Sequence, residues 1–421
     1  MEQAQKAEQL PGGARPCRRA LSQVFVTLII VATILGGLEY TVRVRHRRRF
    51  GPNSLRSHIL RDRFTAWRNN PAYGRFDCQI NSQGFRRDRD MLINKPADTV
   101  RVFLTGGSVA YGWPGGWRQV DDQSVLYNNQ TISYYLEREL NDALPSRHWE
   151  VINAAVVGYQ LNLELAQTES VLLRYHPDCI IYLDGHNDLL SLLESDSNNY
   201  DPYSSTPLVE FDLLANPGSF HSLLFFLATW ARENSGLFRV ASDRLRAIEN
   251  PPAKREPGRG AVGHPVRLSD LTPAEWAGFV VAQRQLAFYP HLVGQIRRIL
   301  DLDGTRGVFL LQPELMLTRK PLTQTEERLL DYLRNTPALP LYAFQELEPE
   351  IARRMTAAAQ QDGFVFVKLT DVFNQTSSQT FTDDCHLTPD GNRIVADRLL
   401  QLLKGMFVHN RQRLTQPELK L

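Results

Sequence analysis

A three-layer α/β/α sandwich on a five-stranded parallel sheet, preceded by an N-terminal transmembrane helix, is the α/β fold this sequence predicts. Three observations carry that expectation. Short apolar, β-branched runs alternate with longer amphipathic stretches five times along the chain, the order of a doubly wound sheet. The runs are apolar almost throughout, as in Cys179-Ile180-Ile181-Tyr182-Leu183-Asp184, which suits strands covered on both faces. Residues 20–38 carry no charge at all.

Residues 1–50 hold nine Lys and Arg against three acids, a net +6, whereas the whole 421-residue chain carries +2. The rest is therefore mildly acidic, which argues against a nucleic-acid footprint. Residues 1–19 form the basic N-terminal segment. As a helix rising about 1.5 Å per residue, residues 20–38 span roughly 28 Å, enough for a hydrocarbon core. A cleaved signal peptide and a buried core helix are the alternatives. The long apolar run, followed by Glu39-Tyr40-Thr41-Val42 with no clear A-x-A site, favours an uncleaved anchor. The expected partner of residues 20–38 is thus the lipid bilayer. Five arginines between Arg43 and Arg49 tilt the positive-inside rule narrowly toward a cytoplasmic carboxyl flank.

Residues 39–98 read as an irregular, polar leading segment containing one distinctive phrase, Cys78-Gln79-Ile80-Asn81-Ser82-Gln83-Gly84-Phe85-Arg86. The main body is expected over residues 99–405, with a tail at 406–421. Its first strand is Thr99–Leu104, stopped by Gly106-Gly107. Ile132, Tyr135, Leu136 and Leu140 space a helix between Thr131 and Leu144. A second strand at Trp149–Ala154, a helix at Leu161–Tyr175 and the strand Cys179–Asp184 follow. Two more strands are expected at Gly307–Leu311 and Phe364–Val367, preceded by helices over 273–302 and 325–361. The last helix starts at Thr388-Pro389-Asp390, where a hydroxyl cap, a first-turn proline and an acid coincide.

Residues 190–270 are too long for a simple connection, and 250–263 read as a mobile loop. Within that stretch, residues 220–230 are strongly apolar but too short to cross a bilayer. A core or lid helix is the plainer reading, and a helix resting on the membrane the sharper one. The four cysteines, Cys17, Cys78, Cys179 and Cys385, make no CxxC pair, too few and too scattered for a disulfide scaffold or a zinc site. Cys179, inside an apolar strand, reads as a buried inert thiol.

In an open parallel sheet, ligands bind beyond the carboxyl ends of the strands. Three polar groups fall there: Gly106-Gly107-Ser108, then Gly185-His186-Asn187-Asp188, then Asp383-Asp384-Cys385-His386. Together they hold the parts that acyl transfer requires. Serine becomes a useful nucleophile when a histidine takes its proton, and a carboxylate fixes that histidine's tautomer. Asn187 and backbone amides at a Gly-rich turn would meet the developing oxyanion. The Gly-Gly-Ser turn lacks GxxxxGK and does not fit GxGxxG, which disfavours nucleotide binding.

These residues resemble the SGNH (GDSL-type) hydrolases, in particular membrane-anchored bacterial members. Gly107-Ser108 corresponds to the nucleophile block, with Gly-Gly-Ser in place of Gly-Asp-Ser. Gly158 matches the second block, Gly185-His186-Asn187-Asp188 the third, and Asp383-x-x-His386 the last. Asn81-Ser82-Gln83-Gly84-Phe85-Arg86 also resembles the anchored members. The likeness covers roughly residues 79–405, with an unaligned insertion at about 190–300.

The resemblance implies a flavodoxin-like sheet and a cofactor-free, metal-free hydrolase acting on esters. In it Ser108 is the nucleophile, His386 the general base and acid, and Asp383 the orienting acid, with Asp384 as the adjacent rival. The amides of Ser108 and Gly158 and the side chain of Asn187 form the oxyanion hole. It further implies a catalytic domain outside the cytoplasm and an acylated small molecule or envelope polysaccharide as substrate. Transfer of an acyl group to a glycan, or glycan binding without catalysis, are the alternatives. Arg86 and His186 are candidate substrate contacts; the plainer option for Arg86 is an ion pair with an acid, and for His186 a structural role is an equal alternative. A Cys78–Cys385 disulfide over the site is conceivable in an oxidising compartment.

Overall fold

The computed structural model describes residues 15–51, 58–75, 77–115, 126–194, 220–249, 267–335 and 341–408. The expectations placed on residues 1–14, on the loop at 250–263 and on most of the tail lie outside these.

One continuous helix, α1 (Arg15–Phe50), carries the uncharged run and continues through the arginines. It is therefore longer than the expected anchor, because nothing between Glu39 and Phe50 breaks a helix. The leading segment is more ordered than its composition suggested. A hairpin of β1 (Ile59–Asp62) and β2 (Ala66–Asn69) forms there, and Ile80 and Phe85 are buried in the main core.

The body is a five-stranded sheet of β3 (Thr99–Gly106), β4 (His148–Asn153), β5 (Cys179–Asp184), β6 (Arg306–Leu311) and β7 (Val365–Lys368). Spatial order is β4-β3-β5-β6-β7, and every pairing is parallel. This is the flavodoxin-like order, and the chain reverses direction across the sheet beside β3. Strand residues alternate between two cores. Val100, Val102, Leu104, Ile181 and Leu183 face one layer, where α3 (Ile132–Ala143) and α12 (Pro389–Val408) supply Leu136, Leu140, Leu399 and Leu403. Phe103, Ile180, Tyr182 and Phe309 face the other. There α4 (Leu161–Ser170), α9 (Phe288–Asp303) and α11 (Leu341–Asp362) pack.

Two expected helices are divided. The first splits into α8 (Pro273–Gln285) and α9, with Pro290 in the first turn of the second, where a missing N–H costs nothing. The other becomes α10 (Gln324–Asn335) and α11. Because α9 packs on the sheet through Val293, Ile296 and Leu300, the sheet-covering part of the chain resumes before residue 300. Thr388 caps α12 as its composition required, accepting from the Gly391 N–H at 3.1 Å.

Candidate active site

The strand ends converge on one point. β3 runs into Gly107, which precedes the short helix α2 (Ser108–Tyr111), so Ser108 sits at the first helical position. A side chain at 107 has no room: a Cβ there would lie 2.5 Å from Asn187 Nδ2 and 3.1 Å from the Tyr159 carbonyl oxygen. Glycine thus lets three segments meet around the serine.

His386 comes from a tight loop closed by an antiparallel bridge between Phe381 and Leu387. Within it, Asp383 Oδ1 accepts the N–H groups of Cys385 at 3.1 Å and His386 at 2.8 Å. This is the local bonding by which aspartate shapes turns. It folds the imidazole back over the carboxylate that precedes it. His386 Nδ1 lies 2.8 Å from Asp383 Oδ2, and Nε2 lies 2.8 Å from Ser108 Oγ. Burial alone would raise the Asp383 carboxyl. The His386 ring and the two backbone donors outweigh it and hold the group at about 2. Asp383 is therefore anionic at neutral pH, as a group that holds an Nδ1–H tautomer must be.

Asp384 points elsewhere. Its Oδ2 is buried without a hydrogen bond among the described residues and stands 3.6 Å from His186 Nε2. Of the two adjacent acids, the geometry gives His386 to Asp383.

Asn187 opens the helix α5 (His186–Glu194) after β5. Its Nδ2 donates to the Tyr159 carbonyl at 2.8 Å, which leaves its second N–H uncommitted to that bond. Gly158, at φ +83°, makes the turn that carries Tyr159. Asp188 ties these parts together, accepting from the Leu161 N–H at 3.1 Å and the Gly185 N–H at 3.3 Å. Sequence reading missed the clamp on this turn. Trp67 of the leading hairpin donates Nε1–H to the Val157 carbonyl at 2.9 Å, and the Tyr159 hydroxyl donates to the Trp67 carbonyl at 2.6 Å. No local motif marks that pair; only the fold brings residues 67 and 159 together.

Arg86, a candidate substrate contact, has its guanidinium committed to backbone carbonyls and pairs with no acid among the described residues. It is buried and donates to the carbonyls of Tyr111 at 2.9 Å, Gly112 at 2.5 Å and Leu126 at 2.6 Å, and to Asn128 Oδ1 at 3.1 Å. It also lies 4.8 Å from the Tyr111 ring centre. Its guanidinium pins the segment that leaves α2. Arg86→Met is expected to destabilise the fold by about 3 kcal/mol or more, since buried carbonyls lose charged donors. An unchanged thermal midpoint would contradict this.

His186 is likewise turned inward. Its Nδ1 lies 3.1 Å from Glu314 Oε1, beside the Phe344 ring, so it bridges Glu314 and Asp384. Burial would lower its pKa, but Glu314 first and Asp384 next raise it to about 9. The donor atoms of His186, Asp384 and Cys385 lie within 4.8 Å of one another. Held between Glu314 and Asp384, the ring serves as the positive centre of an ion-paired bridge. The sign of its pH effect follows. Stability from the bridge is complete below the ordinary 6.5 and disappears as pH rises through about 9,. The stability gap between the parent and His186→Gln should therefore shrink over that window. A gap that widened would contradict the bridge. Glu314, in the strand-end phrase Gln312-Pro313-Glu314 after β6, could have been found by the strand-end rule itself.

The disulfide does not form. Cys78, Cys179 and Cys385 are free thiols. Cys78 Sγ meets the Tyr111 hydroxyl at 3.0 Å, and Cys385 Sγ lies 3.7 Å from His386 Nδ1. Cys179 is fully buried as expected, its thiol pushed up to about 12 by desolvation.

No protein-family model matches this chain, and no curated protein does. Solved structures that align with it include an acetylxylan esterase from Geobacillus stearothermophilus, 11% identical over 72% of this chain and 93% of that one, at TM-score 0.35. Another is the acetyl xylan esterase AlAXEase, 11% identical over 72% and 100%, at TM-score 0.36. A third, from Desulfitobacterium hafniense, is assigned to the G-D-S-L lipolytic family; it is 9% identical over 72% and 99%, at TM-score 0.34.

Proposed function

We propose that this chain is a membrane-anchored serine esterase of the SGNH (GDSL) type, acting outside the cytoplasm on acyl esters. By the resemblance of its blocks, an O-acetyl ester of an envelope glycan is the narrower substrate class. The observation that carries the reading is the unbroken line Ser108 Oγ, His386 and Asp383, with both links at 2.8 Å.

In this reading His386 Nε2 takes the Ser108 proton as Oγ attacks the ester carbonyl. The charge that develops on the carbonyl oxygen meets the Ser108 and Gly158 amides and Asn187 Nδ2. His386 then protonates the departing alcohol, which leaves Ser108 acylated. Water, deprotonated by His386, releases the carboxylic acid and restores the serine. Every proton moves through one imidazole, and no cofactor is called for.

Asn187→Ala is expected to lower kcat by about 10²–10³-fold with little change in KM, the signature of a donor used only in the transition state. An equal rise in KM with kcat unchanged would move Asn187 to ground-state binding.

Anchoring is supported by α1. Its apolar side chains are exposed along a candidate span within Gln23–Phe50. Its charged end is also built into the folded chain: Glu39 accepts hydrogen bonds from Ser235, Gly236 and Leu237. These bonds favour an uncleaved helix over a leader removed on export.

The functional test is turnover of 4-nitrophenyl acetate by the full-length protein in detergent, with and without an oligosaccharide acceptor. Release of acetate in both cases supports hydrolysis. Formation of acetylated sugar at the expense of acetate would instead make the protein a transferase, and no turnover of this or any short acyl ester would overturn the proposal.

A further inference from the structure

The apolar stretch at 220–230 forms the helix α6 (Phe220–Asn234), which is followed after Ser235 by α7 (Gly236–Glu249). Exposure speaks against the core half of its plainer reading, a core or lid helix. Phe220, Leu223, Leu224, Leu227 and Trp230 are all exposed. At 100° per residue they form one stripe about 120° wide. Water-facing apolar stripes of this kind are costly unless something covers them.

The place of α6 indicates what covers it. Glu39 is the first charged residue after the uncharged run of α1, and so marks where the span leaves the hydrocarbon. Its carboxylate accepts the Ser235 hydroxyl at 2.9 Å and the Gly236 and Leu237 N–H groups at 2.8 Å. Negative charge at the start of α7 is also where a helix dipole favours it. One turn further along α1, Arg43 donates to the Asn234 carbonyl. The end of α6 is thereby fixed beside Glu39 and Arg43 of α1, which on the anchored reading is the level of the membrane surface. Exposed Trp230 lies one turn before Asn234, and exposed Tyr40 lies beside Glu39, where amphipathic aromatic rings settle. The arginines Arg43 to Arg49 continue α1 just beyond, at headgroup height.

We propose that α6 is a second membrane contact, its stripe inserted into the acyl boundary of the bilayer beside the anchor. The inference rests on the anchored reading of α1 and extends it. Anchor and helix together hold the catalytic domain at two points instead of one, so that it cannot swing freely on a single tether.

Nitroxide scanning of the full-length protein in phosphatidylcholine vesicles tests this. With Cys17→Ser as background, the other thiols are buried, and single cysteines are placed at Leu223, Leu227, Ile30 and Leu302. Ile30 reports on the anchor, and Leu302, exposed at 90%, reports on water. Labels at 223 and 227 should collide with oxygen and be shielded from a nickel chelate, as at Ile30. Nickel access equal to that at Leu302 would overturn the proposal while leaving the anchor intact. Shielding from both reagents would also overturn it, because protein and not lipid would then cover the stripe. Nickel access at Ile30 would defeat the anchored reading itself, and the proposal with it.

Discussion

Ser108→Ala is expected to abolish ester hydrolysis, lowering kcat by a factor on the order of 10⁶, while the folded state survives. Ser108 is only partly buried, and its hydroxyl bonds the His386 ring. Removing it leaves no buried backbone group unsatisfied. Thermal midpoint and kcat, measured on the same preparation, separate the two effects. Unchanged turnover would refute the nucleophile. A collapse in stability would mean that the serine is a structural residue.

The second large effect discriminates between neighbouring acids. Asp383→Asn keeps the shape of the loop but removes the anion that holds the Nδ1–H tautomer, so kcat should fall by about 10⁴. Asp384→Asn removes the partner of His186 on the far side of the loop and should act on stability far more than on rate. The two variants differ by one position in sequence, yet they face opposite neighbours. A larger catalytic loss at 384 than at 383 would reverse the assignment.

How much of this was legible follows from which interactions are local. β5 matched its expected residues, because a strand buried on both faces is apolar without interruption. The start of α12 was legible because capping is written within four residues. Asp383 and His386 belong to one turn, so their spacing alone suggested contact. The Ser108–His386 contact joins residues 278 positions apart. The strand-end rule, applied to a doubly wound sheet, and the likeness of the sequence blocks brought those segments together.

What stayed hidden did so for physical reasons. Arg86 stands in a phrase read by resemblance alone, and a lone arginine serves carbonyl clamps and anionic ligands equally well. Its burial and its carbonyl partners are not properties of the phrase. His186 beside Asn187 invited a pocket role, but its partner Glu314 comes from another strand end. The break before α9 is written in Pro290, which sits in the first turn of that helix. For residues 220–230, hydropathy gives the same signal for core and membrane, since both are dry. Among the described residues the stripe is exposed, which is what the proposed membrane contact rests on.

The most direct test of the central claim is reaction of the intact, full-length protein with a fluorophosphonate, followed by peptide mass spectrometry. An imidazole that activates Ser108 should give a single adduct on that residue, absent in Ser108→Ala and strongly slowed in His386→Ala. No adduct in the native protein, or equal labelling of Ser108→Ala, would contradict the account.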